Sequence, residues 1–210
     1  MVQELYDILL TTTDPVEYEI RFGKQTNRKF RAQCTTCFYD TTLNSLEAFD
    51  EWDRVREKTV HDFFFQGLRF RRCSDGTSET CTKNKVITKT KHLIVSKDVQ
   101  SFYPSDVRIS IAKEVPVEFD KAVIMPEYVR TKQVKEFIKG NFCYVFSAIR
   151  SGSSLDDLGE PFFEVEIEIL NALQYLRARG VPHVEKSILM KIRNILQGRG
   201  FVKDFFVEEL

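Results

Sequence analysis

The sequence has no surplus charge of either sign, with 31 Lys and Arg against 31 Asp and Glu. Global attraction to nucleic acid or to an anionic membrane is thereby excluded, and any phosphate site must come from local clustering of charge. No apolar run approaches the roughly 18 residues that a membrane span requires. The first residues, MVQELYDILLTTTDP, lack the basic region and small-residue cleavage site of a secretory leader, so an intracellular setting is expected. Histidine is scarce: His61, His92 and His183 are scattered, and none sits at a metal-ligand spacing. The cysteines, Cys34, Cys37, Cys73, Cys81 and Cys143, are odd in number, which points to reduced thiols rather than a disulfide framework. Cys34-Thr-Thr-Cys37 offers half of a zinc site, but Cys73 and Cys81 have the wrong spacing for the other half and no histidine is close. No internal repeat or low-complexity linker divides the chain. What is present is a balanced chain of 210 residues, 42% hydrophobic, read as one domain over residues 1–210.

Alternation of apolar and polar residues dominates the pattern, as expected of half-buried antiparallel strands. Residues 16 to 22 place Val16, Tyr18, Ile20 and Phe22 opposite Glu17, Glu19 and Arg21, and Gly23 ends the strand. Residues 60 to 72 read as a strand with Arg69 and Arg71 on one face, and residues 85 to 95 as a strand with Lys89 and Lys91 on one face. Residues 106 to 115 set Asp106, Arg108, Ser110, Ala112 and Glu114 together, closed by Pro116. Residues 128 to 138 put Arg130 and Lys132 on one face, and residues 141 to 149 form a largely apolar strand candidate. Residues 162 to 170 repeat the opening pattern, with Glu164, Glu166 and Glu168 opposite Phe163, Val165, Ile167 and Ile169. Helices are predicted over 42–58, where Leu43, Leu46, Phe49, Trp52 and Val55 stand at near-helical spacing behind a threonine cap, over 170–179, and over 183–197, stopping at Gly198. The 18 phenylalanines and Trp52 are expected to pack the sheet against these helices rather than to stack on bases.

Glutamates at every second position can be a solvated outer face. Two features favour a site instead. Glu164, Glu166 and Glu168 follow one another about 7 Å apart with no cation among them on that strand. Matching counter-charge stands on other strands as rows of Arg and Lys. If the apolar faces pack under helices, the charged faces line a wet interior, where carboxylates bind a hard divalent cation and guanidinium and ammonium groups grip phosphate.

The motifs resemble those of the triphosphate tunnel metalloenzymes, and within them the fungal, protozoan and large-DNA-virus type of messenger RNA capping triphosphatase. The similarity runs from about residue 15 to 170. The family's E-x-E-[IVM]-[KR]-F-G strand is matched by Glu17 to Gly23, its E-[VL]-E-[IL]-E strand by Glu164 to Glu168, its D-x-[KR]-[IL]-S-[IL]-x-x-E-x-P strand by Asp106 to Pro116, and R-x-K of its R-x-K-x-R strand by Arg130-Thr131-Lys132. The last basic position of that strand falls on Val134, with Lys135 adjacent, where a bulge would bring it inward. The following strand lacks the family's usual inward Arg and acidic residue, and Arg150 is the nearby candidate.

The resemblance implies a closed antiparallel eight-stranded β-barrel with a charged interior and helices packed outside, strands over about 15–170 and helices over about 170–198. It implies that Glu17, Glu19 and Glu168 hold Mg²⁺ or Mn²⁺, with Glu164 and Glu166 supporting the metal and its waters. Arg69, Arg71, Lys89, Lys91, Arg108, Arg130 and Lys132 would contact the triphosphate, and Glu114 would orient the attacking water, with Lys132, Arg130 and Glu166 also catalytic. The implied activity is removal of the γ-phosphate from 5′-triphosphate RNA, the first step of cap formation, in the nucleus or a viral replication compartment. Tripolyphosphate, a nucleoside triphosphate or thiamine triphosphate is an alternative substrate, and a non-catalytic transcription subunit such as the relative in the Mediator head is a reading from another class. The C-terminal helices offer a place for an RNA guanylyltransferase or a second copy to dock, so a monomer and a homodimer both remain open.

Overall fold

The computed structural model describes residues 17–26, 29–65, 68–82, 86–93, 105–113 and 125–197, with side chains left undescribed over 79–93 and at Lys113. Its elements in chain order are β1 (Glu17–Thr26), β2 (Lys29–Arg31), β3 (Gln33–Cys34), α1 (Thr36–Glu47), β4 (Arg54–Phe64), β5 (Leu68–Cys73), β6 (Ser78–Thr82), β7 (Val86–Leu93), β8 (Asp106–Lys113), β9 (Tyr128–Lys139), β10 (Phe142–Ser154), β11 (Asp157–Leu158), β12 (Phe162–Ile169), α2 (Ala172–Arg179) and α3 (Val181–Gln197). The alternation that predicts strands is realised with one correction: residues 60–72, read as a single strand, divide between β4 and β5, which pair with each other. Every paired strand described is antiparallel.

The strands form one 12-stranded sheet whose continuous path runs β6-β5-β4-β9-β10-β12-β1-β8-β7, with β2, β3 and β11 attached beside it. This corrects the expectation of a closed eight-stranded barrel. Among the described residues the end strands β6 and β7 do not pair, and the sheet curls around a cavity without closing on it. Alternation dictates which face of a strand is charged; it carries no information on whether the two edges meet.

The helix predicted over 42–58 is also corrected. The helix is α1, which starts six residues earlier than expected, at Thr36, and is capped by Thr35, whose Oγ1 accepts a 3.3 Å bond from the Phe38 amide. Residues from Arg54 onward belong to β4. Leu43, Leu46, Phe49 and Trp52 do reach the same core, but the last two do so from the loop after α1. Trp52 donates from Nε1 to the Leu46 carbonyl at 2.9 Å and packs against Phe49, Phe137 and Tyr144. Val55, which completed the apparent helical spacing, is exposed.

The core lies between the apolar face of the sheet and the three helices. Tyr18, Ile20 and Phe22 of β1, Val107, Ile109 and Ile111 of β8, Tyr144 and Phe146 of β10 and Val165 and Ile167 of β12 are buried there. Helix α3 covers them with Val184, Ile188, Ile192 and Ile195, spaced to share one face. Each fully buried side chain of this size contributes about 2 kcal/mol through burial of apolar surface. With the apolar face committed to the helices, the opposite residues of β1, β4, β5, β8, β9, β10 and β12 are left to line the inner face, most of it charged.

Candidate active site

Those residues enclose a cavity of about 480 Å³. Its lining includes Glu17, Glu19 and Arg21 from β1, Asp62 from β4, Arg69 and Arg71 from β5, Arg108 from β8, Arg130 and Lys132 from β9, and Glu164, Glu166 and Glu168 from β12. All five glutamates of the two acidic strands thus share one space with five of the seven cations singled out in the sequence. Glu114 lies outside the described residues, as do the side chains of Lys89 and Lys91; the backbone register sets Lys89 opposite Ile111 and Lys91 opposite Ile109.

The acidic wall is built by register. In the β1–β12 pair Glu19 stands opposite Glu168 and Arg21 opposite Glu166. Paired positions point to the same side of an antiparallel sheet, so the two glutamate rows merge into one patch. Arg21 is the counter-charge within it: its Nη2 lies 3.1 Å from Glu19 Oε2 and 3.1 Å from Glu166 Oε1. Glu19 is further held by Ser110, whose hydroxyl donates to Oε1 at 3.0 Å, and by Arg108 at 3.6 Å. Burial raises the Glu166 carboxyl above its usual range; Glu164 and Glu19 add to the rise, while Arg21 opposes it. Burial works against the charge of Arg21, yet Glu166, Glu19 and Glu164 together keep it protonated more firmly than an ordinary guanidinium.

The basic wall is organised by one carboxylate. Asp62 is 1% exposed, and its oxygens lie 2.8 Å from Arg71 Nε, 3.5 Å from Lys132 Nζ and 3.9 Å from Arg69 Nε. Burial disfavours its charge, but Lys132, Arg71 and Arg69 outweigh that and hold it below the usual carboxylate range. Lys132 is pushed down by burial, with Asp62 partly restoring it. Arg130 stands beside them, 3.3 Å from the Tyr128 hydroxyl.

Asp62, Arg21 and Ser110 are the site residues that sequence reasoning did not assign. The alternation of Val60, Asp62 and Phe64 is the signal that could have found Asp62, since it puts that residue on the inner face, and the β4–β5 register sets it opposite Arg71. Two expectations about basic residues, one on β9 and one on β10, are corrected. Lys135 does not come inward through a bulge; the β9 register is unbroken on both sides, and Lys135 points outward to Glu47 and Glu57, 2.7 Å from each. Val134 keeps the inner position, packed with Val60, Cys143 and Val145. Arg150 is exposed and outside the cavity lining, where β10 contributes Val145 and Ser147.

The carboxylate oxygens of this charged cavity suit a hard divalent cation in kind. Among the described residues no three acidic, histidine or cysteine side chains converge closely enough to chelate one in this arrangement, Arg21 and Arg108 being set against Glu19. The fit therefore rests on the donor chemistry and on the direct Glu19–Glu168 register. Cys34 is a poor partner for any metal: its thiol donates to the Phe163 carbonyl at 3.3 Å, and burial pushes it up to about 12.

No family model and no curated protein sequence matches the chain. Solved structures do. The S. pombe Pct1 RNA triphosphatase superposes with a TM-score of 0.77 at 17% identity, covering 94% of this chain and 91% of that one. The same protein in complex with the Spt5 CTD gives 0.75 at 17% identity, with 94% and 90% covered. The RNA triphosphatase domain of a trifunctional mimivirus mRNA capping enzyme gives 0.52 at 15% identity, with 93% and 96% covered. Over nearly its whole length, the chain has the fold of these RNA triphosphatases.

Proposed function

We propose that this protein is a divalent-metal-dependent phosphohydrolase that releases the γ-phosphate from 5′-triphosphate RNA, the first step of cap formation. The observation that carries the reading is the pairing of walls within one cavity: Glu17, Glu19, Glu164, Glu166 and Glu168 on one side, Arg69, Arg71, Arg130 and Lys132 on the other. Glu17, Glu19 and Glu168 would hold Mg²⁺ or Mn²⁺. The ion, when bound, supplies charge neutralisation at the phosphoryl group undergoing transfer.

The chain's own residues do the rest. Arg69, Arg71, Arg108 and Arg130 grip non-bridging phosphate oxygens, and Lys132, half-buried beside Asp62, meets the charge that develops on the γ-phosphoryl group. Glu164 and Glu166 orient water on the acidic wall, and Glu114 takes the attacking water by the family pattern. The water oxygen bonds to the γ-phosphorus as the bond to the β,γ-bridging oxygen breaks, giving inorganic phosphate and a 5′-diphosphate end. Preorganisation supports this: Asp62, Arg21 and Ser110 hold the working side chains in place before substrate arrives.

Phosphate release from triphosphate RNA with Mn²⁺ or Mg²⁺, compared with ATP and tripolyphosphate, tests the reading. A protein that binds such RNA and releases no phosphate from any of the three would be a scaffold rather than an enzyme.

A further inference from the structure

The two ends of the cavity differ. β12 starts at Phe162, which alternation places on the same face as Glu164, Glu166 and Glu168. At that end β12 pairs with β3, through Phe163 opposite Cys34 and Glu164 opposite Gln33. Only Ala32 separates β3 from β2, so Phe30 is carried to the same end. Phe30 stands opposite Gln25 and shares its face, the one that carries Glu17, Glu19 and Arg21 along β1. Lys132 is opposite Ile149, and Ile149 is opposite Phe162, so Arg130 lies one step further out at this end.

Aromatic rings and arginines meet there on two sides. The Arg108 guanidinium lies 5.0 Å from the Phe30 ring centre. That of Arg130 lies 5.7 Å from Phe64, 5.7 Å from Tyr128 and 5.9 Å from Phe162. These are cation–π distances, so each arginine is held against rings while its charge faces the cavity. Toward the other end the inner face turns to Glu168, Cys143 and Ile138, which are opposite one another in register.

We infer that the aromatic and arginine end is a collar for the nucleobase of the substrate, so that the site prefers base-bearing 5′-triphosphates to inorganic tripolyphosphate. The base stacks on the Phe30 or Phe162 side, the phosphates run inward past Arg108, Arg130 and Lys132, and the terminal phosphate comes to the carboxylate end. Stacking on an aromatic face is tolerant of sequence because every base presents a π-surface. The inference rests on the phosphohydrolase reading for its direction but is tested apart from it.

The test compares Phe30→Ala, Phe30→Leu and Phe162→Ala with the unaltered protein on triphosphate RNA, ATP and tripolyphosphate, with Mn²⁺. The expected result is a rise in KM of about tenfold for RNA and ATP, as base stacking supplies, with kcat close to the original and a clearly smaller rise for tripolyphosphate, which loses only the bracing of Arg108 or Arg130. A rise for RNA alone also supports the collar and assigns it to a polynucleotide end. An equal rise for tripolyphosphate, or no rise for RNA and ATP, overturns it. Phe30→Leu keeps the apolar bulk and removes the ring, so it decides the matter if the alanine variants melt early. If the unaltered protein hydrolyses none of the three, the hydrolase reading falls and calorimetry decides the collar. ATP binding more tightly than tripolyphosphate, with the difference lost in Phe30→Leu, upholds it; equal binding overturns it.

Discussion

Asp62 Oδ1 accepts a 2.8 Å hydrogen bond from Arg71 Nε, its register partner on the neighbouring strand. The same carboxylate is 3.5 Å from Lys132, so one buried anion fixes the cations of the basic wall before any phosphate enters. Replacing it by a neutral group leaves the buried Arg69 and the half-buried Arg71 and Lys132 crowded together without their shared counter-ion. Asp62→Asn is expected to destabilise the fold by about 3 kcal/mol, measured by urea unfolding, and to lower kcat/KM for triphosphate RNA. Unchanged stability would mean that the cations are held by other contacts.

The acid limb of stability follows from the same residue. The folded-state pKa of Asp62 lies below its ordinary value of 3.8: burial works against the charged form, and Lys132, Arg71 and Arg69 outweigh it. A carboxyl depressed in the folded state contributes stability that is full above its unfolded pKa and is lost as pH falls through its folded pKa. The stability gap between the unaltered protein and Asp62→Asn is therefore expected to hold from neutral pH to about 5 and to shrink below about 4. A gap that widens on acidification would contradict this sign.

Lys132 and Lys135 are three residues apart on β9 and face opposite ways. Lys132 lines the cavity, while Lys135 pairs with Glu47 and Glu57 on the outside. Lys135→Ala is expected to leave kcat/KM within twofold or so and stability within about 0.5 kcal/mol, as for exposed ion pairs. Lys132→Ala is expected to lower kcat on the order of 100-fold, the scale seen when one preorganised charge-stabilising group is removed. Equal losses in both variants would place the inner face of β9 wrongly.

The alternating faces made most of this site legible. Glu17, Glu19, Glu164, Glu166 and Glu168 could be assigned to one wall because strand period fixes sidedness, and Arg69, Arg71, Arg108, Arg130 and Lys132 followed by the same rule. What period does not carry is pairing across strands. The Asp62–Arg71–Lys132 cluster depends on three registers, and the open path from β6 to β7 depends on edges. Helix α1 was misplaced because Phe49, Trp52 and Val55 continue a helical spacing by coincidence, two of them packing from a loop and one remaining exposed. The inner aromatics Phe30, Phe64 and Phe162 were read as core because composition does not distinguish the faces of a sheet.

Gly23, the last residue of the opening motif, has a structural cause. A Cβ there would overlap the Arg31 carbonyl oxygen across the β1–β2 pair. Gly23→Ala is expected to push β2 away and displace Phe30, raising the KM for triphosphate RNA and lowering the unfolding midpoint. Wild-type values for both would show that β2 shifts without cost.

The most direct measurement is phosphate release from triphosphate RNA, with and without Mn²⁺, by the unaltered protein and by Glu168→Ala and Glu19→Ala. The paired-wall reading expects release that depends on the cation and falls at least about 100-fold in either variant, with folding retained by circular dichroism. Release that ignores the cation, or that survives both substitutions at full rate, would contradict it.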